Sequence, residues 1–167
     1  QRIGVEKLSY IDTDVYFTNG NPAPVGTPEE ILAAGQKMYS ELSPQTKEFF
    51  DFMMENELFD VLGRKTKRQG GYMTYLYQYH SPFIFANFNG TSGDVDVITH
   101  ECGHAFQGYL SGQDPIMEHA DITMETAEIH SMSMEFFTDP WMKEFFGDRE
   151  KDFLSMQLED AIRFIPY

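Results

Sequence analysis

The chain contains one cysteine, few basic residues and no long apolar run, and each shortage excludes a class of protein. Cys102 stands alone among 167 residues, so an intrachain disulfide is excluded and a reducing, cytoplasmic location is expected. The 12 lysine and arginine residues face 27 acidic residues, which gives a net charge of −15. That charge repels phosphate backbones, so a nucleic-acid partner is not expected. Because no stretch stays apolar over the roughly 18 residues of a membrane-spanning helix, no membrane partner is expected either.

The rest of the composition is that of a folded domain with a large core. Hydrophobic residues make up 41% of the chain, with 15 Phe, 9 Tyr and 10 Met. This content is sufficient for a single domain over residues 1–167. The many aromatic side chains also predict that other parts of a longer protein bury some of them.

The order of apolar patterns and turn residues predicts a mostly helical chain. Apolar periodicity and capping residues predict helices near residues 28–42, 44–59, 95–110, 121–137 and 149–164. Aromatic, β-prone runs predict strands at residues 72–79 and 83–88. The predicted fold class is therefore mainly α with a small β-sheet (α+β).

The most informative motif is His100-Glu101-Cys102-Gly103-His104. In a helix, residues four apart lie on the same face, so the two imidazoles can bind one metal ion. Glu101 lies one step around the helix, where a general base for a zinc-bound water belongs. Cys102 falls on a different face and is interpreted as a core thiol. The motif predicts one zinc ion, Zn2+, as the cofactor.

A third ligand is needed, because a catalytic zinc site has three protein ligands and one open position. The residues downstream of the motif leave four candidates open: Glu118, Glu125, Glu128 and Glu135. A solvated acidic face is the ordinary explanation of such a pattern. The small residues that stand between these acids instead favour close packing of two helices around a metal.

Together, these segments resemble the M3 family of zinc oligopeptidases, and most closely its oligoendopeptidase F branch. The resemblance rests on residues 96–107 (DVITHECGHAFQ), 124–131 (METAEIHS), 67–72 (KRQGGY) and 83–90 (FIFANFNG). In the family pattern the third zinc ligand is a Glu three residues before a Ser, which corresponds to Glu128. A carboxylate three residues earlier is also usual, and corresponds to Glu125. It is expected to orient a ligating imidazole.

The resemblance also implies a zincin-like metallopeptidase core that hydrolyses short oligopeptides, with Glu101 as the catalytic base. Members of the family run to several hundred residues, so the chain is expected to be one part of the catalytic region. Missing portions of the full-length protein are then expected to pack on it. The donors that stabilise the transition state in the family correspond to positions beyond residue 167, so the isolated chain is expected to be weak or inactive.

Substrate contacts are predicted upstream of the motif. Zincin-like enzymes bind the substrate backbone along an edge strand, and residues 83–90 are the candidate, with Asn87 and Gly90 allowing close approach. An ordinary core strand is the alternative for this segment. Tyr72 is a further candidate for a substrate contact. The basic cluster at residues 64–68 is interpreted as a solvated turn, with contact to a substrate carboxylate as the alternative.

The rival interpretation of the motif is a non-catalytic, zinc-stabilised helical module. In such a module the metal only ties two helices together, and a fourth side chain closes the coordination sphere. An enzyme instead needs Glu101 for turnover and keeps one coordination position open.

Overall fold

Capping residues fix the first two helices. The protein is described here by a computed structural model that covers residues 4–7 and 9–164. Helix α1 spans Pro28–Leu42 and begins with a capping box, in which Thr27 and Glu30 each accept a hydrogen bond from the other's backbone N–H. Helix α2 spans Pro44–Glu55 and begins after the N-cap residue Ser43.

Three strands form one small sheet beside these helices. Strand β1 spans Phe59–Leu62, β2 spans Tyr72–Leu76 and β3 spans Ser81–Phe88. The strand order is β1-β3-β2, with β3 parallel to β1 and antiparallel to β2. The prediction that residues 83–90 form an edge strand is therefore wrong, because β3 is the central strand. The exposed edge near the motif belongs to β2.

The boundary between α2 and β1 also differs from the prediction of a helix to residue 59. The helix ends at Glu55, and Glu57 adopts a positive φ of 54° that turns the chain. The polar residues Asn56 and Glu57 and the short length of β1 hide the strand in the sequence. The predicted strand at 72–79 is shorter as well, because Tyr77–Tyr79 forms a 3₁₀ turn.

The predicted helix at 95–110 exists, but it contains an irregular turn. It consists of α3 (Gly93–Asp96), a π-helical turn (Val97–Glu101) and α4 (Cys102–Ser111), and we call this continuous run the motif helix. The hydroxyl of Tyr39, a fully buried residue of α1, donates a hydrogen bond of 2.9 Å to the carbonyl of Ile98. This bond satisfies a carbonyl within the π-turn, a type of turn that is frequent at functional sites.

Three further helices complete the described part of the chain. Helix α5 spans Met124–Phe137, α6 spans Met142–Phe146 and α7 spans Glu150–Phe164. Besides Tyr77–Tyr79, short 3₁₀ turns lie at Tyr10–Asp12, Met117–His119, Asp139–Trp141 and Gly147–Arg149. The described helices include none that is long and apolar enough to cross a bilayer. The fold is therefore of the predicted class, mostly helix with a small sheet.

The core brings the motif helix against α5. Tyr39 stacks on Phe50, with ring centroids 4.9 Å apart, and this aromatic cluster underlies the buried face of the motif helix. On another face, a Cβ atom at Gly103 would lie only 2.6 Å from the Cα of Ser131 in α5. Glycine therefore permits the close approach of the two helices that carry the candidate site.

Candidate metal centre

The motif helix places two imidazoles side by side. His100 lies in the π-turn and His104 in α4, and their ring centroids are 4.9 Å apart with the ring planes at 84°. The His100 side chain is 27% exposed and the His104 side chain 16%. Both rings are therefore mostly buried but can be reached from one side, as an ion that exchanges with solvent requires.

A carboxylate from α5 meets these imidazoles. The Oε2 atom of Glu128 lies 3.3 Å from Nε2 of His100 and 3.8 Å from Nε2 of His104. The hydroxyl of Ser131 donates a hydrogen bond of 2.9 Å to the same Oε2 atom. This bond explains the spacing of Glu128 and Ser131, because residues three apart lie on one face of a helix.

The donor set fits one zinc ion. One ligand atom from each of His100, His104 and Glu128 lies within 4.8 Å of the other two, and among the described residues this is the one group of acids, cysteine and histidines so arranged. Two ligands bound to tetrahedral zinc at about 2.0–2.1 Å are roughly 3.3 Å apart. The separations between Glu128 and the imidazoles are close to that value. Two imidazoles and one carboxylate are a ligand set of catalytic zinc sites.

A second carboxylate contacts His100 from the opposite side. Oε1 of Glu135 lies 2.5 Å from Nδ1 of His100. A hydrogen bond at Nδ1 directs the other ring nitrogen, Nε2, toward Glu128 and orients the ring. Burial alone would lower the pKa of His100, but the bond to Glu135 and the nearby negative charges raise it. Burial lowers the pKa of His104, and the neighbouring His100 lowers it further.

The sequence predicts Glu125 for this contact, but the structure puts Glu135 there instead. Glu125 is exposed in the first turn of α5, where its own backbone N–H and the Thr123 side chain lower its pKa. Glu118 is exposed as well. Glu135 lies two turns after Glu128 on the same helix face. The acidic stripe is therefore real, but its later members, and not its earlier ones, face the motif helix.

Glu101 faces the edge strand β2. The backbone N–H of Met73 in β2 lies near its carboxylate. The hydrogen-bond pattern of the sheet explains this position. Ile84 in β3 donates its N–H to the carbonyl of Leu58, on the β1 side of the sheet. Its partner in β2, Met73, therefore directs its own N–H away from β3, toward the exposed edge. Burial raises the pKa of Glu101, although the charge of His100 and the Met73 N–H oppose that rise. A carboxylate with a raised pKa can accept and return a proton.

Tyr72 lies at the exposed edge of the sheet. It is the first residue of β2, its side chain stacks on Phe85 with ring centroids 5.0 Å apart, and it remains 46% exposed. The structure therefore leaves Tyr72 accessible on the strand that borders the candidate site.

Asn87 and Gly90 have structural partners. The side-chain amide of Asn87 donates hydrogen bonds of 2.8 and 3.0 Å to the carbonyls of Arg68 and Gly70, which holds the loop before β2. Gly90 has a φ of +80° and donates its N–H to the Asp94 carboxylate at 2.8 Å, in the turn before the motif helix. These bonds account for both residues without a substrate.

Comparison with known proteins places the fold and motif in one family. The sequence matches the family model described as Peptidase family M3 over residues 37–165. Oligoendopeptidase F, chromosomal, of Lactococcus lactis subsp. cremoris is 27% identical over 157 residues, which cover 93% of this chain and 24% of that protein. The structure titled PZ peptidase A with inhibitor 2 is 55% identical, with a TM-score of 0.95, over 99% of this chain and 30% of its own.

A further solved structure, from Bacillus anthracis strain Ames, is 54% identical with a TM-score of 0.96, again over 99% of this chain and 30% of that one. The chain thus spans less than a third of the length of these relatives. The match to the family model covers the sheet, the motif helix and α5. The chain therefore belongs to peptidase family M3, in its oligoendopeptidase F-like branch.

Proposed function

We propose that the full-length protein is a zinc-dependent endopeptidase that hydrolyses short oligopeptides, and that this chain carries its metal centre. In this proposal His100, His104 and Glu128 hold one zinc ion, and Glu101 is the general base. The observation that carries it is the convergence of three ligand atoms within 4.8 Å of one another. The base lies next to His100 in the sequence and contacts the edge strand beside the site.

The chemistry follows from these positions. Zinc, when bound, supplies a Lewis acid for the peptide carbonyl and lowers the pKa of a water molecule to about 7. Glu101 would accept a proton from the water whose oxygen adds to the peptide carbonyl, and would return it to the amine nitrogen as the C–N bond breaks. The N–H of Met73 lies near the Glu101 carboxylate and favours its charged form, and Glu135 keeps His100 in the tautomer with Nε2 facing the site.

The edge strand supplies the binding surface for a peptide. Met73 turns its N–H and C=O away from β3, and Tyr75, two residues later in the same strand, does so too. An extended peptide can add to such an edge as a further strand. The restriction to short oligopeptides comes from the family resemblance. Portions of the protein outside this chain would enclose the cleft.

Zinc content tests the metal centre. After dialysis against limiting zinc, the purified chain should retain one equivalent of zinc. X-ray absorption should show that all ligands are oxygen atoms except for two nitrogen atoms. A chain that retains no zinc would refute the site. A zinc coordination sphere that is completed by a fourth protein side chain would favour the non-catalytic helical module.

Turnover tests the base. In the full-length protein, Glu101→Gln should keep zinc but lower the hydrolysis of a quenched fluorescent peptide by about 100-fold or more. Glu125→Gln is the matched control, because Glu125 is an exposed glutamate of α5. Equal turnover by the two variants would reject Glu101 as the base.

The isolated chain should be weak or inactive in the same assay. Several apolar side chains of α5 are exposed, including Met124 at 71% and Ile129 and Phe137 at 63% each. Such a surface fits a helix that other portions of the full-length protein cover. Turnover by the chain equal to that of the full-length protein would show that those portions are dispensable.

A further inference from the structure

The loop between β1 and β2 carries the only dense basic cluster of an acidic chain. Four cations, Arg64, Lys65, Lys67 and Arg68, fall within five positions, although the whole chain has a net charge of −15. A cavity of about 660 Å³ lies between this loop and the start of the motif helix. Its lining includes Lys65, the backbone of Gly70 and Gly71, and Val97 of the π-turn.

Two of the four cations already have a partner. Arg64 donates to both carboxylate oxygens of Asp60, at 2.8 and 2.7 Å. Lys67, whose side chain is 1% exposed, lies 3.0 Å from the same carboxylate and also donates to the carbonyls of Asp60 and Leu62. One carboxylate thus balances two cations. Among the residues that the structure describes, neither Lys65 nor Arg68 has an acidic partner.

The loop is held in place without these two side chains. Lys67 fixes its first half to β1, and its Nζ atom lies 4.4 Å from the centroid of the Phe85 ring in β3. Asn87 fixes the second half through the carbonyls of Arg68 and Gly70. Lys65 and Arg68 therefore extend from a rigid loop as exposed charges, which lowers the entropy cost of binding an anion there.

Strand β2 leads from this loop to the candidate metal centre. A Cβ atom at Gly71 would lie 3.6 Å from a methyl group of Val97, and the backbone of Met73 lies near the Glu101 carboxylate. Two residues later, the ring of Tyr75 lies 3.4 Å from a Cβ built at Gly108. The strand therefore runs alongside the motif helix in the same direction. From Met73 back to Gly71 it covers about 7 Å, or two residues of an extended peptide.

The position of the charge selects the direction of a peptide on this edge. A strand that adds to β2 can run parallel or antiparallel to it, and the ladder alone permits both. The basic loop lies at the amino end of β2, so it attracts a carboxylate and repels an ammonium group. Antiparallel addition brings the carboxyl end of the peptide to the loop, and parallel addition brings the amino end there.

We propose that Lys65 and Arg68 bind the C-terminal carboxylate of a peptide that lies antiparallel to β2. The bound peptide ends two or three residues after the cleaved bond. This inference rests on the proposed function, and it adds a substrate class to it: oligopeptides with a free carboxyl terminus close to the cleavage site. Peptides that continue past the loop, or end in an amide, lose this contact.

The test compares peptides that differ only at the carboxyl terminus. The zinc-loaded full-length protein is given peptides that end two, three or six residues after the cleaved bond, each as the free acid and as the amide, with cleavage followed by mass spectrometry. For the two shorter lengths, kcat/KM should be about tenfold higher for the acid, as expected for one partly exposed charge-assisted contact. For the longest peptide, the acid and the amide should have equal kcat/KM.

A double variant assigns the preference to the loop. The double variant Lys65→Gln, Arg68→Gln should cleave short acids and short amides with equal kcat/KM. The matched control is Lys143→Gln, Lys151→Gln, which changes two exposed lysines of α6 and α7 and should leave the preference for acids intact. Zinc content checks that each variant is folded. Independently of any variant, the acid preference of the unaltered protein should shrink at 1 M salt, where screening acts over about 3 Å.

Two results would overturn the inference: equal kcat/KM for short acids and amides, or an acid preference that survives in the double variant. In either case peptides are still cleaved and the proposed function stands. Failure to cleave any peptide would instead reject the proposed function itself.

Discussion

Replacement of Gly103 by alanine should separate the two helices that hold the metal centre. The added Cβ atom would lie 2.6 Å from the Cα of Ser131 and 2.9 Å from the carbonyl oxygen of His130. Both are backbone groups of α5, so no side-chain rotation relieves the contact. To reach the 3.4 Å at which ordinary contact begins, α4 and α5 must move apart by about 0.8 Å.

That shift exceeds what a metal site tolerates. Ligand distances in zinc sites are held to within roughly 0.2 Å, so Glu128 and the two imidazoles cannot all stay bound at their preferred lengths. We expect zinc affinity to fall by about tenfold or more. The fold should survive, because overpacking typically costs about 1–3 kcal/mol and alanine restores about 1 kcal/mol of helix propensity.

The assay is a competition titration of zinc against a chromophoric chelator, with circular dichroism as the check on folding. Gly108→Ala is the matched control: it lies in the same helix, but its Cβ would meet only side chains at ordinary contact distance, the Tyr75 ring at 3.4 Å and the Cε of Met73 at 3.6 Å. If Gly103→Ala and Gly108→Ala bound zinc equally well, close helix packing would not set the ligand geometry and the reasoning would fail.

Three further predictions concern residues around the site. Glu135→Gln should weaken zinc binding by roughly 10–100-fold, because it loses the charged partner of His100, and a chelator titration that shows unchanged affinity would contradict this. Tyr39→Phe leaves the π-turn carbonyl without its buried donor and should lower the free energy of unfolding by about 1–3 kcal/mol in urea. Arg64 and Lys67 together lower the pKa of Asp60 from 3.8 to about 2, so Asp60 stabilises the fold above pH 3.8 and this contribution is lost as the pH falls toward 2. The stability difference between the unaltered protein and Asp60→Asn should narrow over that range.

The sequence predicts the parts of the site that depend on local chemistry. Some features are properties of short segments, and the structure agrees with the sequence on each of them. They are helix caps such as Thr27, the apolar period of the motif helix, and the i, i+4 spacing of His100 and His104. The π-turn is different. Its free carbonyl is satisfied by the hydroxyl of Tyr39, 59 residues before Ile98 in the chain, and nothing in the sequence distinguishes this tyrosine from other buried aromatics.

Tertiary contacts explain two of the predictions that the structure changes. The acids of α5 share one face, but only the crossing at Gly103 determines that Glu135, and not Glu125, reaches His100. Strand β3 is predicted to be an edge strand because β1, with only the four residues Phe59–Leu62, is too short to be recognised in the sequence. Once β1 pairs with it, β3 becomes central and the exposed edge passes to β2.

The position of Met73 beside Glu101 has a consequence for the cleft. Because the outward N–H of Met73 lies near the Glu101 carboxylate, a peptide strand that adds to β2 would pass directly beside the proposed proton acceptor. A substitution that displaces β2 would therefore alter both the peptide-binding edge and the surroundings of that carboxylate.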